Sequence, residues 1–186
     1  MKPGRSAKLN EPQDEVLNFW FRELTPQDWF KGGEALDELV RGRFADLHRQ
    51  ARACMLDDWA ATPLGRLALI LLLDQFSRQI HRAAAAAFET DVRAQQWAVE
   101  GIAMGMDEKL SFGQRQFFYM PLMHAEDPQL QAMSIERFTA LRDFADDILK
   151  FAQSHKSEID RFGRFPHRNE ALARTSSEDE RAFMEA

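Results

Sequence analysis

Thr62-Pro-Leu-Gly-Arg-Leu-Ala-Leu-Ile-Leu-Leu-Leu-Asp-Gln-Phe-Ser-Arg-Gln-Ile-His-Arg82 is the stretch whose reading decides the fold. Thr62 can cap a helix, and Pro63 is pre-set for its first position. Behind them lies the most apolar segment of the chain: Leu64, Leu67, Ala68, Ile70 to Leu73, Phe76 and Ile80. The unbroken run Leu67 to Leu73 ends at Asp74 and Gln75. A membrane span needs roughly 20 apolar residues, so this run reads as the buried helix of a globular protein. Within it Asp74, Arg78, His81 and Arg82 recur at helical spacing and share one face, with Gln75 beside them. Asp74 and Arg78 are placed for an ion pair.

The same punctuation continues outward in both directions. Upstream, Pro12 opens a helix carrying Val16, Leu17, Trp20, Phe21 and Leu24. Thr25-Pro26 starts a short turn with Trp29 and Phe30, and Gly32-Gly33 breaks it. A longer helix follows with Leu36, Leu39, Val40, Phe44, Leu47 and Ala51 on one stripe. Downstream, Ala83 to Ala87 links helices, and Thr90 or Asp91 can cap the next, which Gly105 closes. Ser111 starts a helix running through Phe117, Phe118 and Met120 towards Pro121. Asp127-Pro128 is a further cap-plus-proline start. From there the pattern runs unbroken to Gly163, with Ile135, Phe138, Leu141, Ala145, Ile148, Leu149 and Ala152 as the expected buried stripe. Thr175-Ser-Ser-Glu178 reads as a capping box for a short C-terminal helix over 175–186. No segment alternates with period two, and β-branched residues are sparse. The chain is therefore expected to be all-α, one domain over 1–186 with about seven or eight helices, several in antiparallel pairs, after a loose lead-in over 1–10.

Composition narrows the function classes. Of the 186 residues 45% are apolar and 29% charged, and the net charge is −6. That balance argues against general affinity for nucleic acid or an anionic membrane. Cys54 is the single cysteine, so neither an internal disulfide nor a cysteine zinc site is possible. The first ten residues carry no apolar core of a signal peptide, and the expected location is cytoplasmic. The sequence has no nucleophile elbow, no phosphate-cradling loop and no dinucleotide fingerprint, so no cofactor is expected.

Two further segments break the apolar logic. In Tyr119-Met-Pro-Leu-Met-His-Ala-Glu-Asp127, His124 and Glu126 sit where one helix ends and another begins. Loop positions of this kind aim side chains into clefts for acid–base work. Their spacing matches no helical metal motif, and no metal site is expected. In His155 to Arg174, basic residues outnumber acidic ones, against the sign of the whole chain. Gly163 and Pro166 form a turn that would gather Arg161, Arg164, His167 and Arg168. Guanidinium forks suit carboxylates or phosphates. All three polar clusters also have a purely structural reading, because a buried charge persists only when paired.

Three blocks together carry a resemblance: Leu69-Ile-Leu-Leu-Leu-Asp-Gln-Phe-Ser-Arg78, Phe118 to Asp127, and Arg161-Phe-Gly-Arg-Phe-Pro-His-Arg-Asn169. With Val16-Leu-Asn-Phe-Trp-Phe21 and Trp29-Phe30, they resemble the signature blocks of the bacterial domain-of-unknown-function 924 family over nearly the whole chain. The resemblance implies a tetratricopeptide-like arrangement, helix pairs stacked in a right-handed superhelix. It implies no activity. Ser77, Gln79, His81 and Ala173 depart from the residues common in those blocks.

The leading functional expectation is a binding module. Its polar groove would display Asp74, Gln75, Arg78, His124, Glu126, Arg161, Arg164, His167 and Arg168 to a small anionic ligand or a peptide carboxylate. The first alternative is a hydrolase-type enzyme. There His124, His155 or His167 is general base, Glu126 orients it, and Arg164 and Arg168 stabilise an anion. The second alternative is an ion-pair network that only locks the helices together.

Overall fold

The computed structural model describes residues 11–185. The protein is all-α, with no strand among the described residues. It forms two compact units, one through Phe138 and one from Thr139. The expected lead-in over 1–10 lies outside the described residues.

The first unit is built around the stretch 62–82. Helix α1 (Pro12–Asn18) passes into a π-helical turn over Phe19–Glu23, and α2 (Pro26–Lys31) and α3 (Glu34–Arg52) follow. Helix α4 (Pro63–Ile70) continues through a second π-helical turn, Leu71–Phe76, into α5 (Ser77–Ile80). Then come α6 (Asp91–Ala103), α7 (Phe112–Met123) and α8 (Pro128–Phe162), which runs across the division between the units. Residues Leu67 to Leu73 are all fully buried, which is why a continuous apolar run is tolerated here. Helix α1 packs on α4, α3 on the second π turn and α5, and α6 on α4 and α7.

An aromatic cluster fills the centre. The Phe76 ring lies 4.9 Å from Phe44, 5.5 Å from Trp20 and 5.9 Å from Phe19. Phe117 stands edge-on to Trp20 at 5.2 Å and to Trp29 at 4.9 Å. The starts expected from sequence are present. Thr62 Oγ1 accepts from the Gly65 amide at 3.1 Å, and Asp127 Oδ1 accepts from Gln129 and Leu130 at 2.8 and 2.9 Å. Gly65 also admits the backbone of the preceding turn, since a Cβ there would lie 2.2 Å from the Trp59 carbonyl oxygen.

Helix α7 runs through Pro121 and ends at Met123, within the Tyr119–Asp127 segment where the sequence places a helix end. Proline removes one backbone bond, and the buried row Phe117, Phe118 and Leu122 carries the helix past it. Several expectations are corrected. Thr90 sits at the start of α6 but does not cap it; its hydroxyl donates to the Leu73 carbonyl instead. The stripe assigned to α8 is mostly not buried. Leu141 is covered, whereas Ile135 is 69% exposed and Ile148 and Leu149 are each 54% exposed. Periodicity identifies an apolar helix face but does not say whether another segment lies against it.

In the second unit, the final helix α9 (Glu178–Met184) starts two residues later than the capping box read from sequence. Ser177, not Thr175, is the cap, and Glu180 is its partner. Glu180 is buried and receives the Arg164 guanidinium as a fork, Nε at 2.6 Å and Nη2 at 2.8 Å. The Ser177 amide donates to the same carboxylate at 2.7 Å and the Asn169 amide at 3.3 Å. This fork, with the Ser177 amide, holds the Glu180 carboxyl at about 2, against an ordinary 4.5. A carboxyl depressed on folding stabilises the folded state above pH 4.5, and that stabilisation disappears as pH falls from 4.5 towards 2. Glu180→Gln is expected to flatten the pH dependence of the melting temperature in this window, followed by circular dichroism.

Candidate functional site

The sequence places Asp74 on the second π turn, and the structure shows how that turn is held. Two of its backbone carbonyls accept from side chains. The Thr90 hydroxyl bonds the Leu73 carbonyl at 2.5 Å and Arg78 Nη1 bonds the Asp74 carbonyl at 2.8 Å. π turns of this kind occur frequently at functional sites.

The Asp74 side chain has no solvent exposure. Its Oδ1 lies 2.8 Å from His124 Nδ1 and 2.8 Å from Arg78 Nη1, and the Gln75 amide donates to Oδ2. The expected Asp74–Arg78 ion pair is present. The partner that orients His124 is Asp74, fifty residues away, in place of the expected Glu126. Against an ionised Asp74, Nδ1 carries the imidazole proton and donates it, so Nε2 is the basic nitrogen. Nε2 makes no protein hydrogen bond among the described residues.

His124 lines a cleft of about 730 Å³ together with Arg78, Phe88, Asp91, Val92, Gln95, Glu126 and Asp127. All of these residues belong to the first unit. Arg78 crosses the cleft to fork onto Asp91, with Nη1 to Oδ1 at 3.0 Å and Nη2 to Oδ2 at 2.9 Å. Its guanidinium also lies over the Phe88 ring at 5.4 Å. Burial pushes the Asp91 carboxyl up, with the Arg78 bonds opposing. Asp127 is spent on its helix cap, and Glu126 is exposed.

Other residues of the sequence-derived set go elsewhere. The shared face Asp74, Arg78, His81 and Arg82 divides. Helix α5 ends at Ile80, so α spacing no longer holds beyond it. His81 turns to His48, and Arg82 is forked by buried Asp37. The C-terminal block has its partners within the second unit. Besides the Arg164–Glu180 fork, Arg168 lies over Phe165 at 4.3 Å and Arg161 over Phe162 at 4.8 Å. His167 Nδ1 is 3.6 Å from Glu158, and His155 stands edge-on to Phe165. Asp91, Phe88 and Gln95 were not singled out as site residues from sequence, and nothing in their spacing points to Arg78 or His124. Among the described residues, no group of three or more His, Cys, Asp or Glu side chains is arranged to hold a metal ion.

Comparison with known proteins bears on this geometry. The model of a family described as bacterial protein of unknown function (DUF924) matches residues 16–186. The chain belongs to that family. The match takes in the second π turn, the cleft and the Arg164–Glu180 lock. Among solved structures, this DUF924 chain is similar to a protein of unknown function, ATU0120, from Agrobacterium tumefaciens. The two are 36% identical, with a TM-score of 0.64, over 93% of this chain and 96% of that one. No curated protein matches. No helix among the described residues is long and apolar enough to cross a membrane.

Proposed function

We propose that the chain binds a small polar ligand in the cleft at the α5, α6 and α7 ends, with His124 as the group that exchanges a proton with it. The observation that carries this reading is the pairing of His124 Nδ1 with a carboxylate that solvent does not reach. Such a pairing fixes the tautomer and leaves Nε2 to face a ligand. The cleft volume, about 730 Å³, is within the range that takes small molecules.

The charge of the walls decides what kind of ligand. Asp91, Glu126 and Asp127 line the cleft with a single guanidinium, Arg78, which two carboxylates already hold. The Arg forks that favoured an anion are occupied at both Arg78 and Arg164. The ligand read from this cleft therefore carries an amine or other hydrogen-bond donor for Glu126 and His124. The curved layer of helix pairs implied by the family resemblance belongs to the same proposal, as the scaffold that would present the cleft.

Calorimetry with a panel of small amines, amino acids, carboxylates and phosphates tests it. Wild type is expected to bind amine-bearing members, and His124→Gln and Glu126→Gln are each expected to weaken binding about tenfold. Unchanged affinity in both variants, or binding confined to anions, overturns the reading. A second reading, hydrolysis with His124 activating water, rests on the same Asp–His pair. Turnover of ester, amide or phosphoester substrates that disappears in His124→Gln, with folding intact, would favour it.

A further inference from the structure

A second cavity lies apart from the His124 cleft in the same unit. It has a volume of about 430 Å³ and sits against α3 and the end of α5. Ala45, His48, Arg49, Arg52, Ile80 and His81 line it. His48 is only 2% exposed, and its Nε2 has no hydrogen-bond partner. A buried polar nitrogen without a partner is costly, and an exception of this kind needs an explanation. The His81 ring is 5.2 Å away.

The surroundings carry positive charge. Arg49 and Arg52 stand on α3, one and four residues beyond His48. His81 faces it from the end of α5, and Arg41 reaches the Ile80 carbonyl. The nearby acids are partners of the arginines: Asp46 holds Arg49, and Glu89 holds Arg52. No carboxylate lines the cavity itself. Burial, then His81 and Arg52, pushes the His48 imidazole down to about 4, so it stays neutral at pH 7. A cation would meet two guanidiniums there. Each guanidinium spends only one nitrogen on its acid, so donors remain for an anion, which would also offer His48 an acceptor, while the methyl-bearing walls at Ala45 and Ile80 suit an apolar body.

We propose that this cavity is a second ligand site, for a small organic anion with one carboxylate- or sulfonate-type group on a short apolar body. Arg52, His81 and His48 receive the charged group, and Ala45 and Ile80 contact the body. The site is independent of the His124 cleft, so the failure of one reading leaves the other standing.

The test is a titration of the wild-type chain followed by the imidazole signals in nuclear magnetic resonance. The probes are butyrate, butanesulfonate, butylammonium and inorganic sulfate. Saturable shifts of His48 and His81 are expected with both butyl anions below about 10 mM, and none with butylammonium. Arg52→Gln, a substitution at a partly exposed position, is expected to weaken butyrate about tenfold. Butanesulfonate stays ionised, so its affinity is expected to rise as pH falls towards 4, where the His48 imidazole takes up its proton. An anion favours the protonated imidazole, so binding takes up a proton. Equal shifts with butylammonium, unchanged affinity in Arg52→Gln, or no saturable shift with either butyl anion overturns the site. Sulfate binding as tightly as butanesulfonate overturns the assignment of an apolar body.

Discussion

Truncating Phe76 to alanine is expected to destabilise the first unit by about 4 kcal/mol, within the range for deleting a large aromatic from a well-packed core. The ring is completely buried and sits within 6 Å of Phe19, Trp20 and Phe44. Its three aromatic neighbours, Phe19 and Trp20 on one π-helical turn and Phe44 on α3, cannot collapse together into the space it leaves. The residual cavity therefore adds to the lost transfer energy. The thermal midpoint is expected to fall by on the order of 10 °C. Differential scanning calorimetry checks it, and a fall of only a degree or two would show that the cluster is looser than its ring spacing implies. Phe76→Leu keeps much of the volume and is expected to cost less than half as much.

Asp74→Ala, two residues earlier, is expected to cost about 3 kcal/mol for a different reason. Phe76 contributes through volume, whereas Asp74 contributes through three polar partners that its removal would strand. Gln75, Arg78 and His124 all converge on its carboxylate. Arg78 keeps Asp91, which limits the damage, but the His124 imidazole loses its only protein hydrogen-bond partner among the described residues. Urea denaturation of Asp74→Ala, His124→Gln and the double variant separates the terms. A coupling near zero would mean that the imidazole and the carboxylate do not depend on each other. A coupling of about 1 kcal/mol or more is expected for groups in direct contact.

The fold was legible because helix starts are local. Thr62-Pro63 and Asp127-Pro128 announce themselves in two residues each, and their hydrogen bonds to following amides are where the pattern puts them. Burial along 67–73 was equally readable, because so continuous an apolar run has few other places to go. What could not be read depends on pairing across the chain. Asp74 and His124 were both singled out, yet nothing local says that they bond each other across fifty residues. Arg78 was matched to Asp74 by helical spacing, but its fork onto Asp91 joins two separate helices. The basic block at 161–168 left an anion site and a structural role both open, because Glu180, the acid that takes Arg164, lies beyond a turn and another cap. Helix α8 shows the opposite error. Its stripe at Ile148 and Leu149 has the period of a core face but is exposed.

The π turn at Leu71–Phe76 has one more consequence. Each i→i+5 bond closes a ring holding one residue more than an α bond does. Since an α-helical residue advances by about 100° around the axis, one surplus residue offsets the faces on either side by that angle. The leucines before the turn can thus point into the centre while Arg78 beyond it swings out to the cleft wall. Shortening the segment by a single residue would erase that phase difference. The core-facing leucines could stay in place while Arg78 rotated away from Asp91, so the spelling of this short insert sets the azimuth of the cleft's only guanidinium.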